Sequence, residues 1–230
     1  PPPIPKTEMP SKEDRPTTSR MPLSRERVLR AAIDLADASG IDALSMRKLA
    51  QALGVEAMSL YNHISNKDDV LDGITDLVVG EIFVPTVGGD WQAEMRKRAT
   101  SAHEVLMRHP WASLLMASRV NIGPAMLRYG DATIGCLIAA GFSYELADRA
   151  WNAIDSHVYG FTLQKLNFPF DPSEYASAAE QFLPMLPVEQ YPYMFALART
   201  VIDGTHHGVH DFEFGLGLIL DGLENALAAS

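Results

Sequence analysis

The stretch ALSMRKLAQALGVEAMSLYNHISNKDDVLDGI, residues 43–74, decides how this chain folds. Met46, Leu49, Ala50 and Leu53 recur at helical spacing, which predicts a short helix from about Ser45 to Leu53. Gly54 then supplies a turn, and a further helix is expected over roughly Glu56 to Ile64, anchored through Val55, Leu60 and Ile64. Ser65-Asn66-Lys67-Asp68 has the form of a capping box, after which Val70, Leu71, Ile74, Leu77 and Val78 carry the next helix. Upstream, Val28, Leu29, Ala32, Ile33, Leu35 and Ala36 mark a helix from Ser24 to Gly40. Three short helices with a tight Ala-Leu-Gly-Val turn between the second and third form a helix-turn-helix.

Beyond the loop at 84–90 the chain again reads as helices punctuated by Gly and Pro. The expected spans are Trp91 to His109, Trp111 to Val120, Ala125 to Ala140, Tyr144 to Leu166, Ser173 to Leu183, Tyr191 to Val201 and Phe212 to Ala229. No stretch alternates with period two, and no internal repeat is visible, so the fold class is all-α. Residues 1–22 hold seven of the fifteen prolines without any hydrophobic period and read as a disordered arm. The expected organisation is that arm, a helix-turn-helix unit at 23–67, a connecting helix at 68–83 and a larger helical unit at 84–230.

The chain has 47% hydrophobic residues, ample for a core, and no apolar run of the length a bilayer requires. With neither a membrane span nor a secretory h-region in view, a soluble cytoplasmic protein is expected. The single Cys136 fits a reducing compartment and reads as a small buried hydrophobe. The net charge of -10 argues at first against nucleic acid. Its distribution reverses that: residues 1–70 balance ten basic against ten acidic side chains, and residues 20–67 hold seven basic against five acidic. A mildly positive patch is compatible with phosphate contact.

The apolar anchors of the third helix all point one way, leaving Ala57, Met58, Ser59, Tyr61, Asn62 and His63 on or beside its outer face. Hydrogen-bonding and methyl-bearing side chains on such a face suit the major groove, where base edges present donors, acceptors and the thymine methyl. Lys67, at the start of the following helix, is placed to meet a phosphate, and Arg47 could reach a phosphate or a guanine. The competing reading has Tyr61 and His63 facing solvent or filling a seam between helices.

On these residues the chain resembles the TetR family of bacterial transcriptional regulators. The order Leu-Ser-x-Arg-x-Leu-Ala, then Leu-Gly-Val, then Leu-Tyr-x-His-Ile and a closely following Lys persists over some thirty residues. Downstream, DWQAEMRKRATSAHEVLMRHPW, AAGFSYELADRAWNAIDSHVYGFTLQ and FEFGLGLILDGLENAL are similar to the ligand-binding and dimerisation part of the tetracycline-repressor branch. The resemblance implies a homodimer on a palindromic double-stranded operator, released when a small molecule enters the C-terminal part. It makes Arg47, Ala57, Met58, Ser59 and Asn62 the base-facing set, with Tyr61, His63 and Lys67 positioning the backbone. Ala57, Met58 and Asn62 depart from the tetracycline repressor's Gln, Pro and Trp, so a different operator is expected.

The positions at which that branch chelates magnesium-tetracycline are also changed. The residue four before Arg119 is Leu115 rather than His, and the residue four after Gly160 is Gln164 rather than Glu. No metal or other cofactor is expected; the effector would be largely apolar, held among His103, Met107, Met116, Ser118, His157, Phe161 and Gln164. Trp151, Ile154, Leu218, Ile219 and Leu223 are the candidates for a four-helix dimer interface, with burial inside one subunit as the alternative.

His206, His207 and His210 are residue types that bind transition metals, but histidines in a Gly-rich loop are more often solvated. The chain holds no HExxH, no GxSxG and no phosphate loop, so an enzyme is not expected. The alternative function is an all-α small-molecule binding protein whose first helices contact protein rather than DNA.

Overall fold

The computed structural model describes residues 22–206 and 211–230. Among them are eleven α-helices and no strand. The arm read at 1–22 lies, but for Pro22, outside the described residues, as do His207 and His210; His206 is exposed.

Helix α1 (Arg25–Ser39) starts where the Ser24 hydroxyl accepts the Arg27 N–H, and buries Val28, Leu29, Ala32 and Ala36. A single 3-10 turn over Ile41–Ala43 leads into α2 (Met46–Leu53), capped by Ser45 and stopped at Gly54. Gly54 has φ 66°, a left-handed conformation that glycine adopts without steric cost.

The third helix is shorter than its sequence suggests. Helix α3 is Ala57–Leu60, and Tyr61–His63 continue as turns that end on the buried Ile64. The capping box is also shifted by one residue: Asn66 caps α4 (Lys67–Val79) by accepting the Asp69 N–H. Asp69 rather than Asp68 therefore turns inward, and it accepts the Ser65 N–H at 2.7 Å.

The remaining helices are α5 (Trp91–Arg108), α6 (Ala112–Ser118), α7 (Pro124–Ala139), α8 (Tyr144–Asn167), α9 (Tyr175–Phe182), α10 (Pro192–Ile202) and α11 (Phe212–Ala228). Helix α8 is central and packs on α5, α7 and α11. One continuous core runs from Val28 in α1 to Leu220 in α11. Ile154 lies fully inside it, so it presents no surface to a second chain; the long helix turns this face toward its own α5 and α7. Leu218 is 60% exposed, while Ile219 and Leu223 are half-buried.

Three carboxylates on one face of α4, at positions 68, 72 and 76, join it to the helices behind it. Arg119, just after α6, meets Asp72 at 2.9 Å and Asp68 at 3.2 Å. Asp76 accepts the Ala125 and Met126 N–H groups, capping the N-terminus of α7. A separate latch joins α1 to the α5–α6 corner, where Asp37 accepts the Trp111 indole N–H at 2.6 Å and lies 2.9 Å from His109 Nδ1.

Candidate nucleic-acid interface and ligand cleft

At the N-terminal end, Leu60 and Ile64 are driven into the core, and Met58, Tyr61 and Asn62 are turned out. Met58 is 76% exposed and Tyr61 47%, each a large apolar surface left in water beside a folded core. Arg47, Ala57, Asn62 and Lys67 are exposed; Ser59 and His63 are half-buried. The eight side chains singled out in the sequence therefore share one end of the molecule.

Two residues not foreseen hold that end in place. Arg25, in the first turn of α1, forks onto both carboxylate oxygens of Asp69 and also donates to the His63 carbonyl at 3.3 Å. The clamp pins the Tyr61–His63 turn between α1 and α4. Hydrogen bonding from Arg25 holds the Asp69 carboxyl well below the usual range, at about 2. A depressed folded-state pKa means stabilisation that is complete above the unfolded value and lost as pH falls through the folded one. Asp69→Asn is expected to lower unfolding free energy at neutral pH by about 1–2 kcal/mol, allowing for Arg25's partial exposure. Denaturant titrations should show the gap from wild type closing between about pH 4 and about pH 2.

His103, His157 and Phe161 surround the chain's own Phe212, with His103 and His157 stacked on its ring at 4.7 and 4.9 Å. Both imidazoles are engaged: His103 Nδ1 lies 2.7 Å from the Thr162 hydroxyl and His157 Nε2 3.0 Å from the Phe212 carbonyl. Burial holds the His103 imidazole below its ordinary value, so it stays neutral at pH 7. Ser118 is exposed and donates its hydroxyl to the Leu114 carbonyl. Met107 is half-buried and Gln164 exposed.

Of the seven ligand-site candidates, Met116 alone lines the open cleft of about 500 Å³ between α6, α7 and α8. Its other walls include Arg119, Met126, Tyr129, Trp151, Asp155 and Tyr159. Trp151, a candidate for the dimer interface, lines the cleft. Its ring lies against α7 at Gly130, where a Cβ would approach within 2.9 Å. Asp155 accepts the Trp151 indole N–H at 2.7 Å, the Tyr159 hydroxyl at 3.3 Å and Arg98 Nη2 at 2.6 Å. Burial raises both the Tyr129 and the Tyr159 phenol above their ordinary value, so both keep their protons. The spacing Trp151, Asp155, Tyr159 on one helix face, and an arginine among the apolar positions of α5, were the signals available in the sequence.

Among the described residues no three His, Cys, Asp or Glu side chains cluster as a metal site. Leu115 is a buried alkyl group and Gln164 a neutral amide, so the positions that hold magnesium-tetracycline in the resembled branch do not fit it here.

A helix-turn-helix with an exposed polar face, joined by one helix to an all-helical body with a cleft, defines a ligand-responsive DNA-binding regulator. Residues 28–74 match the family described as bacterial regulatory proteins, tetR family, and residues 84–227 match the tetracyclin repressor-like C-terminal domain. The chain belongs to the TetR family. It is 31% identical to the HTH-type transcriptional repressor DrrR1 of Streptomyces coeruleorubidus, over 95% of this chain and 82% of that one. An HTH-type transcriptional regulator of Saccharopolyspora erythraea is 38% identical over 60% of this chain and 59% of its own length. The crystal structure of ActR from Streptomyces coelicolor in complex with actinorhodin superposes with a TM-score of 0.73 at 29% identity, covering 90% of this chain and 99% of that one. No helix among the described residues is long and apolar enough to cross a membrane.

Proposed function

We propose that this protein is a homodimeric transcriptional repressor that leaves a two-fold operator when a small molecule occupies the cleft between α6, α7 and α8. One observation carries the reading. Arg119 is at once a wall of the cleft and the ion-pair partner of Asp68 and Asp72, which follow directly on the outward-facing turn and Lys67. A ligand that draws on Arg119 would therefore have differential affinity for two placements of α4, the condition for allosteric release. DNA contact is assigned to Arg47, Ala57, Met58, Ser59 and Asn62 at base edges and to Tyr61, His63 and Lys67 at the backbone. Exposed apolar side chains on α9, α10 and α11, among them Tyr193, Met194, Leu197, Phe214 and Leu218, support a dimer that covers them. The actinorhodin bound by ActR supports a small-molecule effector.

Titration of the purified protein against its own upstream intergenic DNA tests this. Saturable binding to a two-fold site is expected, with affinity falling about 100-fold between about 50 and about 200 mM salt if each protomer neutralises about two phosphates. An affinity independent of salt would mean that the outer face meets protein instead.

A further inference from the structure

A histidine at the corner between α5 and α6 has a carboxylate against each of its ring nitrogens. His109 is buried, and its Nδ1 lies 2.9 Å from both carboxylate oxygens of Asp37, in the last turn of α1. Its Nε2 lies 3.5 Å from Glu81 Oε2, in the turn that follows α4. Arg108, at the end of α5, donates to the same Glu81 oxygen at 2.8 Å. Trp111 sets its ring edge-on to the imidazole, with 6.0 Å between centroids, and donates its indole N–H to Asp37. Helix α6 itself contributes no titratable side chain.

A neutral imidazole has one N–H and one lone pair, so it can donate to one of these carboxylates and must turn its lone pair on the other. Nδ1 faces two oxygens at hydrogen-bonding distance and keeps the proton, which leaves the lone pair of Nε2 toward Glu81. With a second proton both nitrogens donate. The group of two carboxylates, one guanidinium and one imidazolium is then electrically neutral. Without it, an uncompensated negative charge is left beside a buried ring.

Helix α1 carries this latch to the DNA end. It is fifteen residues long, about 20 Å at ~1.5 Å per residue, with Asp37 in its last turn and Arg25 in its first. Arg25 holds the Tyr61–His63 turn through the His63 carbonyl and Asp69. Fixing one end of a rigid helix fixes the other, where the outward face lies. Asp37, Glu81 and His109 do not line the cleft between α6, α7 and α8, so this input is separate from the effector.

We propose that His109 is a proton-responsive positioning residue: doubly protonated, it ties α1 to the turn after α4 and holds the helix-turn-helix ready for operator DNA, and loss of the Nε2 proton to solvent as pH rises releases that tie. This role rests on the assignment of the outer face to DNA. Histidine side chains change charge between about pH 5 and about pH 8. A helix-turn-helix already held in one placement loses less entropy on binding, so the protonated form binds more tightly and operator affinity falls as pH rises.

Anisotropy titrations of the full chain on its two-fold site at about pH 6 and about pH 8, at one salt concentration, test this for wild type, His109→Asn and Glu81→Gln. Asn keeps an N–H for Asp37 and cannot take a second proton. Gln leaves His109 in place and removes the carboxylate that the second proton serves. His63, on the outer face, is common to all three, so its own charge change cancels. The ratio of affinities at the lower and higher pH is expected to be about fivefold or more larger in wild type than in either variant. An equal ratio in wild type and His109→Asn overturns the proposal, as does a wild-type ratio retained in Glu81→Gln, or a wild-type affinity that rises with pH relative to the variants. Glu81→Gln, at an exposed position, decides alone if His109→Asn does not fold. NMR titration of the His109 ring in the absence of DNA separates the latch from the DNA assignment. No operator binding at either pH would sink that assignment, and the latch then stands if the ring loses its proton at lower pH in Glu81→Gln than in wild type and falls if the two titrations coincide.

Discussion

Tyr61→Ala is expected to weaken operator binding by roughly 30- to 1,000-fold while leaving the fold and the dimer intact. The side chain is almost half exposed and sits on the turn between α3 and Ile64, so its loss removes no core packing. Exposed substitutions of this kind change stability by only about 0.5 kcal/mol. In the proposed dimer the same side chain would act twice, once in each half-site of a two-fold operator. A loss of about 1–2 kcal/mol per contact, doubled across the dimer, gives the stated range. Because Tyr61 is assigned to the backbone, the weakening should be similar across operator variants. Asn62→Ala, at a base edge, should instead relax the preference at one position of each half-site. Anisotropy titrations and thermal unfolding of the same samples check both effects. Operator affinity within about threefold of wild type for Tyr61→Ala, with normal folding, would sink the assignment of this face to DNA.

Asp72→Asn should uncouple the two ends of the molecule. Asp72 belongs to α4 and holds Arg119 through both Nε and Nη2. It does not itself line the cleft, so ligand affinity is expected to change little. The ion pair is partly exposed on both sides, and its contribution to stability is therefore small, about 1 kcal/mol or less. Its contribution to signalling is of another kind. Allosteric coupling of about 1–3 kcal/mol corresponds to a roughly 5- to 150-fold loss of operator affinity on ligand binding. With Asp72 neutral, that ratio should fall toward one, leaving the variant bound to DNA in the presence of ligand. Operator titrations with and without saturating effector measure it directly. Full release by the variant would shift the coupling to Asp76, which caps α7 beside the cleft residue Met126.

The two ends of the molecule were unequally legible. The outward face at 57–63 follows from local rules, since helical periodicity sends Leu60 and Ile64 inward and the residues beside them outward. Two details there differ from the local rules: the third helix unwinds after Leu60, and the cap falls on Asn66, with Asp69 rather than Asp68 drawn to Arg25. That clamp spans forty-four positions of sequence and left no periodic trace. The ligand candidates were harder to place for a different reason. His157 and Phe161 of α8 face Phe212 of the chain's own last helix, whereas Trp151, Asp155 and Tyr159 of the same helix line the open cleft.

From its sequence alone this chain was determined to be all-α, to carry a helix-turn-helix, and to present Tyr61 and Asn62 outward, because short-range periodicity and turn chemistry set each of these. Only the tertiary structure decided where the cleft lies and what faces it. Arg98, Tyr129 and Trp151 come from three helices whose crossing, close enough that a Cβ at Gly130 would meet the indole, gathers two aromatic rings and the Asp155 carboxylate in one wall and buries the Arg98 cation behind it. Periodicity says which side of a helix is buried. It does not say which neighbouring helix buries it, and on that choice the ligand chemistry depends.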